Sequence, residues 1–328
     1  MSYLQAIVIG LVQGVFELFP LSSLGHTVLV PSWIGGNWAT LVRQESLPES
    51  PYLAFIVGLH LANAAALVLF FLREWARLFY SFFRSVLRRR VETSTERLAW
   101  LIVVATVPVG ILGLALEHEF RILFAKPLAA ALFLTCNGVI LFAGELYRRH
   151  HQVPVPEPAV APSTAIGGGS TVPADGSQSR DIATRFRDEH IMAIGEDAEH
   201  QLSQIGFASA LWIGASQALA LLAGISREGV AMVGGLYRGL SNENAMRFAF
   251  LLSTPVIFAA GALKVPDLLG HLGNGIRPQV VAGSVAAVVM SFLALAFLTR
   301  YFKTRTLSPF AVYSLLFGLA SVVRFGLF

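Results

Sequence analysis

Cysteine and charged residues are scarce in this chain of 328 residues, and each scarcity excludes a class of protein. The single cysteine, Cys136, cannot form an internal disulfide, which excludes a small secreted scaffold stabilised by disulfides. Only 13% of the residues are charged whereas 55% are hydrophobic, so an ordinary soluble domain is also excluded. The net charge of +4 comes from arginines between apolar runs, which in a membrane protein indicates orientation and not nucleic-acid binding.

Long apolar runs dominate the sequence, and six of them are long enough to cross a bilayer, which takes roughly 20 residues each. These spans are predicted at 52–72, 98–116, 123–146, 246–264, 279–299 and 307–327. Two further apolar segments, the first hairpin (3–35) and the second hairpin (206–240), are interrupted near the middle by glycine and serine, with a proline in the first. Broken backbone is tolerated at membrane depth only where protein or a water-filled cavity covers it. Each is therefore predicted to be a re-entrant helical hairpin.

The two hairpins are similar to one another in sequence. Moving residues 6–25 along by 204 positions, onto 210–229, gives seven identical pairs. The pairs are Ala6/Ala210, Ile9/Ile213, Gly10/Gly214, Gln13/Gln217, Leu18/Leu222, Ser22/Ser226 and Gly25/Gly229. A duplicated polar break in apolar sequence is typical of a membrane site built where two structural repeats meet.

The arginines predict which side of the membrane each connection faces. Connection 73–97 carries seven arginines against three acids, connection 300–306 carries three basic residues, and Arg148 and Arg149 follow the third span. The positive-inside rule places all three regions in the cytoplasm. The first hairpin then enters the membrane from outside, and the second hairpin enters it from the cytoplasm.

The chain is therefore predicted to consist of two halves joined by a linker. Residues 1–146 contain the first hairpin and three spans, and residues 206–328 contain the second hairpin and three spans. Because three is odd, the halves have opposite orientations, which is an inverted-topology repeat. Residues 147–205 are rich in proline, glycine and serine in their first part and are predicted to be a flexible cytoplasmic linker. The predicted fold is an all-α polytopic membrane protein with six transmembrane helices and two re-entrant hairpins.

The breaks in the hairpins hold the residues that could carry chemistry. Glu17 lies inside an apolar segment, where an acid costs roughly 2.5–3.5 kcal/mol, so a general base or cation ligand is favoured over a structural carboxylate. Arg227, at the matching break, presents a planar fork suited to phosphate. The alternative is that Arg227 pairs with Glu228 to close a buried loop. An arginine directed towards Glu17 would pair with it at rest and bind an anionic substrate in use.

Serine and glycine flank both breaks, at Ser22, Ser23, Gly25, Gly224, Ser226 and Gly229. Near the start of a helix they provide side-chain oxygens, open N–H groups and the positive end of the helix dipole. Two such tips meeting would form an anion cradle, although Ser22-Ser23 alone also fits an ordinary helix cap. His26 is a candidate nucleophile or base, and the alternative is a histidine that only satisfies hydrogen bonds.

Four further polar residues lie inside the predicted spans, at His60, Asn63, Asn137 and Glu145. For the first three we expect hydrogen bonds between neighbouring helices, which polar side chains commonly form in membranes. For Glu145 we expect a position at the membrane interface.

The broken segments resemble the two signatures of the undecaprenyl-diphosphate phosphatase family, the bacitracin-resistance type. The first signature reads roughly (Gln/Glu)-Gly-x-x-Glu-Phe-Leu-Pro-(Val/Ile)-Ser-Ser-x-Gly-His and corresponds to residues 13–26. The second, Pro-Gly-x-Ser-Arg-Ser-Gly, corresponds to residues 223–229. Similarity continues through 230–264, 52–72 and 105–145, and leaves only 147–205 outside.

The resemblance implies an integral membrane phosphatase, a phosphoric anhydride hydrolase that converts a polyprenyl diphosphate to the monophosphate at the outer face of the membrane. This reaction would recycle the lipid carrier of cell-wall glycan synthesis. The implied catalytic residues are Glu17, Ser23, His26 and Arg227. The implied substrate-binding residues are Gln13, Ser22, Gly25, Gly224 and Ser226. A divalent cation, Mg or Ca, would be held through Glu17. The nucleophile is His26, Ser23 or water. The resemblance is also compatible with a homodimer.

Three positions depart from the family signatures. Ala223 stands in place of the proline, Glu228 in place of a serine, and Phe16 where a small hydroxyl residue is common. Glu228 would either add a metal ligand or neutralise Arg227 and weaken phosphate binding. Transporters also use inverted repeats with broken helices, so the alternative function is a polyprenyl-phosphate transporter or flippase without hydrolysis. An inactive scaffold, supported only by Ala223 and Glu228, is a third option.

Overall fold

The molecule is all-α over the residues that the computed structural model describes, which are 1–45, 51–124, 126–151 and 198–327. In these ranges α-helices and short 3₁₀ turns form the regular structure, and no strand is present. The helices are α1 (Tyr3–Phe16), α2 (Ser23–Ile34), α3 (Gly36–Glu45), α4 (Pro51–Phe70), α5 (Leu72–Arg88), α6 (Ser94–Phe124), α7 (Pro127–His151), α8 (Phe207–Ser216), α9 (Arg227–Tyr237), α10 (Asn242–Leu269), α11 (Arg277–Tyr301) and α12 (Ser308–Gly326). The predicted helical class is confirmed.

The longer helices are apolar enough to cross a membrane. Five helices of the described chain pass this test of length and hydropathy, namely α6, α7, α10, α11 and α12. Helix α4 adds a sixth when it is taken together with α5, from which it is bent by 84°. Each predicted span overlaps one of these helices, so the prediction of a multi-pass membrane protein is confirmed.

Helix α5 occupies most of the region predicted as connection 73–97, and here the sequence interpretation was incomplete. Large apolar side chains on α5 are exposed, among them Phe79, Tyr80, Phe83 and Leu87. Arg84 donates from Nε to the Glu96 carboxylate at 2.8 Å and so fastens α5 to α6. The arginines made this segment too polar for a span, but an arginine-rich helix with an apolar face is typical of a membrane interface.

Each hairpin packs closely against a helix of the other half of the chain. A Cβ on Gly10 in α1 would collide with the backbone of Gly283 in α11, and one on Gly214 in α8 would collide with the backbone of Ala105 in α6. Small residues permit this close approach of helices in membranes. Gly10 and Gly214 are an identical pair of the duplication, so the two copies use the same residue for the same kind of contact. The opposite orientation of the halves stays a prediction.

The ends of the predicted linker belong to packed structure. Residues 147–151 continue α7, and Leu202 and Ile205 are buried in the core. Arg97 of α6 donates from Nε to the carbonyl of Ser203 at 2.6 Å. The remainder of the predicted linker, 152–197, lies outside the described residues, so its flexibility stays a prediction.

Candidate functional site

Both hairpins break at a serine that caps the following helix. Pro20 has no N–H with which to continue α1, and α2 begins after Ser22, whose φ is 67° and whose Oγ accepts the N–H of Gly25 at 3.3 Å. In the second hairpin, Ser226 caps α9 and its Oγ accepts the N–H of Gly229 at 3.1 Å. Ser22 and Ser226 therefore have the same role, since each is the N-cap of the helix that follows its break.

The two tips touch one another. The Oγ of Ser22 accepts the N–H of Gly224 at 3.1 Å, and the Oγ of Ser226 donates to the carbonyl of Phe19 at 3.4 Å. Asn137 of α7 joins both tips, because its Nδ2 donates to the carbonyl of Pro20 at 3.0 Å and its Oδ1 accepts the N–H of Ser226 at 3.0 Å. The hydrogen-bonding role expected for Asn137 is confirmed, and the tips form one structure.

Gly224→Ala should destabilise this junction. Gly224 has a φ of 123°, and a Cβ there would lie 2.6 Å from the backbone nitrogen of Leu134 in α7. We expect the free energy of unfolding to fall by roughly 2–5 kcal/mol, because backbone strain and overpacking act together. Thermal melting of the purified protein in detergent measures the effect.

Gly239→Ala is the matched control for this prediction. Gly239 has a φ of 83° but open space around the position of its Cβ, so its substitution costs strain without a collision. Equal melting temperatures for the two variants would contradict a tightly packed junction at Gly224.

A small cavity lies between the tips and α4. Its lining comprises Glu17, Ser22, Ser23, Leu24, His60, Ala220, Ile225, Arg227 and Glu228. The Oγ of Ser23 donates to Oε2 of Glu17 at 2.5 Å, and Nη1 of Arg227 lies 3.8 Å from Oε1 of the same carboxylate. The structure thus brings together the carboxylate of one hairpin and the guanidinium of the other. Among the ion pairs of the described residues, Arg227 pairs with Glu17 and not with Glu228.

Gln13 and His60 complete the surroundings of the carboxylate. Gln13 donates from Nε2 to Oε2 of Glu17 at 2.9 Å and lies 3.3 Å from Nε2 of His60. Nδ1 of His60 is 2.9 Å from the carbonyl of Ile56, so this nitrogen donates and the other faces Gln13 as an acceptor in the neutral ring. The sequence interpretation gave His60 only a helix-packing role. Its place in the cavity wall follows from the packing of α4 against α1, which no local pattern reports.

Asn63 and Glu145 lie away from the cavity. The Nδ2 of Asn63 is 3.5 Å from the carbonyl of Gln13, and its Oδ1 accepts from the Oγ of Ser291 at 2.9 Å, so its predicted role between helices is confirmed. Glu145 is buried near the end of α7 and bonds to Arg148 at 2.7 Å.

His26 is not brought to the cavity. Its Nδ1 donates to the carbonyl of Ser22 at 2.7 Å, its Nε2 accepts from the hydroxyl of Tyr313 at 3.0 Å, and its ring is stacked on Phe16 with centroids 3.7 Å apart. Both ring nitrogens are therefore engaged, and the ring is fully buried. This arrangement does not support attack by His26 on a substrate in the cavity. It holds the backbone of Ser22, and Phe16 is the residue that covers it.

Several buried polar atoms at the site have no hydrogen-bond partner. They are Oε1 of Gln13, Oε1 of Glu228 and Nη1 of Arg227. Helices α2 and α9 both begin at the cavity, with Ser23 and Arg227 as their first residues, so two positive dipole ends are directed towards it. The site combines a place for an anion with a hydroxyl that already donates to a carboxylate. That is the arrangement of an activated nucleophile next to its base.

Comparison with known proteins gives matches over nearly the whole chain. The family model described as bacitracin resistance protein BacA matches residues 6–320. Undecaprenyl-diphosphatase 2 of Frankia alni is 53% identical, and the match covers 100% of this chain and 99% of that protein. Undecaprenyl-diphosphatase of Mycolicibacterium paratuberculosis is 51% identical over 98% of this chain and 97% of that protein. Undecaprenyl-diphosphatase 2 of Chromobacterium violaceum is 35% identical over 98% of this chain and 99% of that protein.

Proposed function

The chain belongs to the bacitracin resistance protein BacA family, and from that premise we propose that the cavity between its hairpin tips hydrolyses undecaprenyl diphosphate to the monophosphate. Similarity over nearly the full length to proteins named undecaprenyl-diphosphatase supports this reaction. One observation carries the assignment of the reaction to this cavity. The carboxylate of Glu17 faces the hydroxyl of Ser23 on its own hairpin and the guanidinium of Arg227 on the other.

The diphosphate is held by charge from the second hairpin and by the two helix ends. Arg227 leaves its ion pair with Glu17 and binds oxygens of the terminal phosphate through its planar fork. The N–H groups at the starts of α2 and α9 that are not taken up by the capping serines donate to the same oxygens. The prenyl chain stays in the lipid, and the arginine distribution along the sequence supports entry from the outer face.

Ser23 is the nucleophile that this geometry favours. Its oxygen attacks the terminal phosphorus, its proton passes to Glu17, and the bond from that phosphorus to the bridging oxygen breaks. Glu17 gives this proton to the bridging oxygen, undecaprenyl monophosphate leaves, and the phosphate remains on Ser23. The Glu17 carboxylate then deprotonates a water molecule, whose oxygen attacks the phosphorus. The bond from the phosphorus to the Ser23 oxygen breaks, inorganic phosphate leaves, and Glu17 returns the proton to Ser23. The hydrogen bond of 2.5 Å between Ser23 and Glu17 supports the first proton transfer.

A divalent cation would bind next to the carboxylate of Glu17. The candidate ligands are the carboxylate of Glu17 and the unpartnered Oε1 of Gln13, since Mg and Ca prefer oxygen ligands. The described residues contain no group of three His, Cys, Asp or Glu side chains that could hold a metal, so substrate oxygens and water would complete the coordination. A bound cation would neutralise negative charge on the phosphates.

Ser23→Ala tests the assignment of the nucleophile. We expect phosphate release from undecaprenyl diphosphate to fall by about 10³-fold, because the base is then left without the hydroxyl that it activates. Ser32→Ala, in the same helix, is the matched control, since the Oγ of Ser32 donates to the carbonyl of Val28 in its own helix at 2.7 Å. Activity of Ser23→Ala near that of the control would assign the attack to water activated directly by Glu17.

A second function, movement of the lipid phosphate between leaflets without hydrolysis, uses the same arginine and helix ends. The close contact of Ser23 with Glu17 favours hydrolysis, because lipid binding alone requires no hydroxyl donating to a carboxylate. All the residues of the proposed reaction lie in one chain, so a homodimer would leave the site unchanged.

A further inference from the structure

Two acidic residues line the cavity in which the diphosphate would bind. Glu17 and Glu228 both line it, whereas Arg227 is its one arginine among the described lining residues. Glu228 is 4% exposed, so its carboxylate is removed from water. A diphosphate brings several further negative charges into this surrounding of low dielectric.

One oxygen of the buried Glu228 carboxylate has no hydrogen-bond partner in the structure. Its Oε1 has no hydrogen bond, and the ion pair of Arg227 is with Glu17. A buried charged group without a partner is costly, so such a group usually binds something or carries a proton. Because Glu228 faces the cavity, its missing partner belongs at the substrate site.

We propose that Glu228 is a second carboxylate ligand of the divalent cation, from the second hairpin, so that the cation bridges the two hairpin tips. This inference rests on the function proposed above. Glu17 and Oε1 of Gln13 come from the first hairpin, and Oε1 of Glu228 comes from the second. Two carboxylates with an amide oxygen and substrate phosphates form a donor set that suits Mg or Ca.

A cation held by both tips would explain how Glu228, a second acid next to Arg227, is compatible with phosphate binding. A divalent ion offsets both carboxylates and leaves Arg227 free for the phosphoryl oxygens. The cation should also hold the two tips together, because its ligands lie on both of them. We therefore expect it to raise the melting temperature of the wild-type protein even when no substrate is present.

Binding of Mn²⁺ to the purified protein without substrate, followed by electron paramagnetic resonance, tests the proposal. We expect Glu228→Gln to weaken Mn²⁺ binding by at least roughly tenfold and to lose the stabilisation by Mn²⁺ in thermal melting. Glu228→Ser, which removes the carboxyl group entirely, should behave in the same way. Glu92→Gln is the matched control, since Glu92 is exposed between α5 and α6.

The proposal is overturned if the wild-type protein binds no Mn²⁺, or if Glu228→Gln binds it as tightly as the control. Either result would point to a proton on Glu228 instead of a cation. Melting curves without metal confirm that the variants are folded. The measurement contains no substrate, so its failure would leave the proposed hydrolysis intact, and a failure of hydrolysis would not alter the binding result.

Discussion

Glu17→Gln should reduce the kcat for phosphate release from undecaprenyl diphosphate by about 10³-fold or more. Glutamine has nearly the same shape and can still accept a hydrogen bond from Ser23, but it cannot take the proton of the hydroxyl. It also removes the negative partner of Arg227, which lies 3.8 Å away, and one proposed ligand of the cation. The base and the charge are lost together, so the chemical step itself should fail.

The control separates loss of chemistry from loss of structure. Glu92→Gln makes the same change at an exposed carboxylate and should keep full activity. Because Gln13 can turn its amide to bond to a new glutamine at position 17, the variant should still insert and purify as the wild type does. Full activity in Glu17→Gln would end the assignment of the cavity as the active site.

Arg227→Ala should lower kcat/KM by roughly 10²–10³-fold, because one preorganised cationic donor to the phosphoryl group is removed. Arg227→Lys should lie between this variant and the wild type, since lysine keeps the charge but loses the planar fork. Both are measured as phosphate release over a range of substrate concentrations. The matched control is Arg238→Ala, at the exposed end of the same helix.

The double variant that combines Glu17→Gln with Arg227→Ala tests whether the two hairpins act as one site. Glu17 and Arg227 face each other across the tips, so the combined loss should be smaller than the product of the single losses. A combined loss equal to that product would indicate that the two residues act separately. If Arg238→Ala lowered kcat/KM as much as Arg227→Ala does, the loss would reflect a general effect on folding.

The position of the candidate site could be predicted from the sequence because the breaks carry strong local signals. Pro20 prevents α1 from continuing, and serine caps the helix that follows. A buried carboxylate in an apolar run is costly and therefore indicates function. The match between residues 6–25 and 210–229 then placed Arg227 at the corresponding break, and the structure shows the two side chains in contact.

The side-chain orientations of His26 and His60 could not be predicted, because they depend on packing between segments far apart in the chain. His26 follows Ser23 by three residues, yet its ring is turned to Ser22 and to Tyr313 of α12. His60 comes from α4 and reaches Glu17 at 3.5 Å. Neither arrangement is encoded in the spacing of residues along one helix.

The duplicated hairpins have diverged at the positions that would carry the reaction. The shift of 204 that pairs Gln13 with Gln217 places Leu221 opposite Glu17, and the amide of buried Gln217 has no hydrogen-bond partner. The same shift places Arg227 opposite Ser23, so the proposed nucleophile and the proposed phosphate ligand are the first residues of equivalent helices. One scaffold, used twice, thus presents different chemistry from its two sides.

The most direct test of the account is the product formed from undecaprenyl diphosphate by the purified wild-type protein in detergent. The account predicts inorganic phosphate and undecaprenyl monophosphate in equal amounts, with the formation of both reduced by about 10³-fold or more in Glu17→Gln. Recovery of intact diphosphate from the wild-type protein, together with movement of the lipid between leaflets after reconstitution, would contradict it.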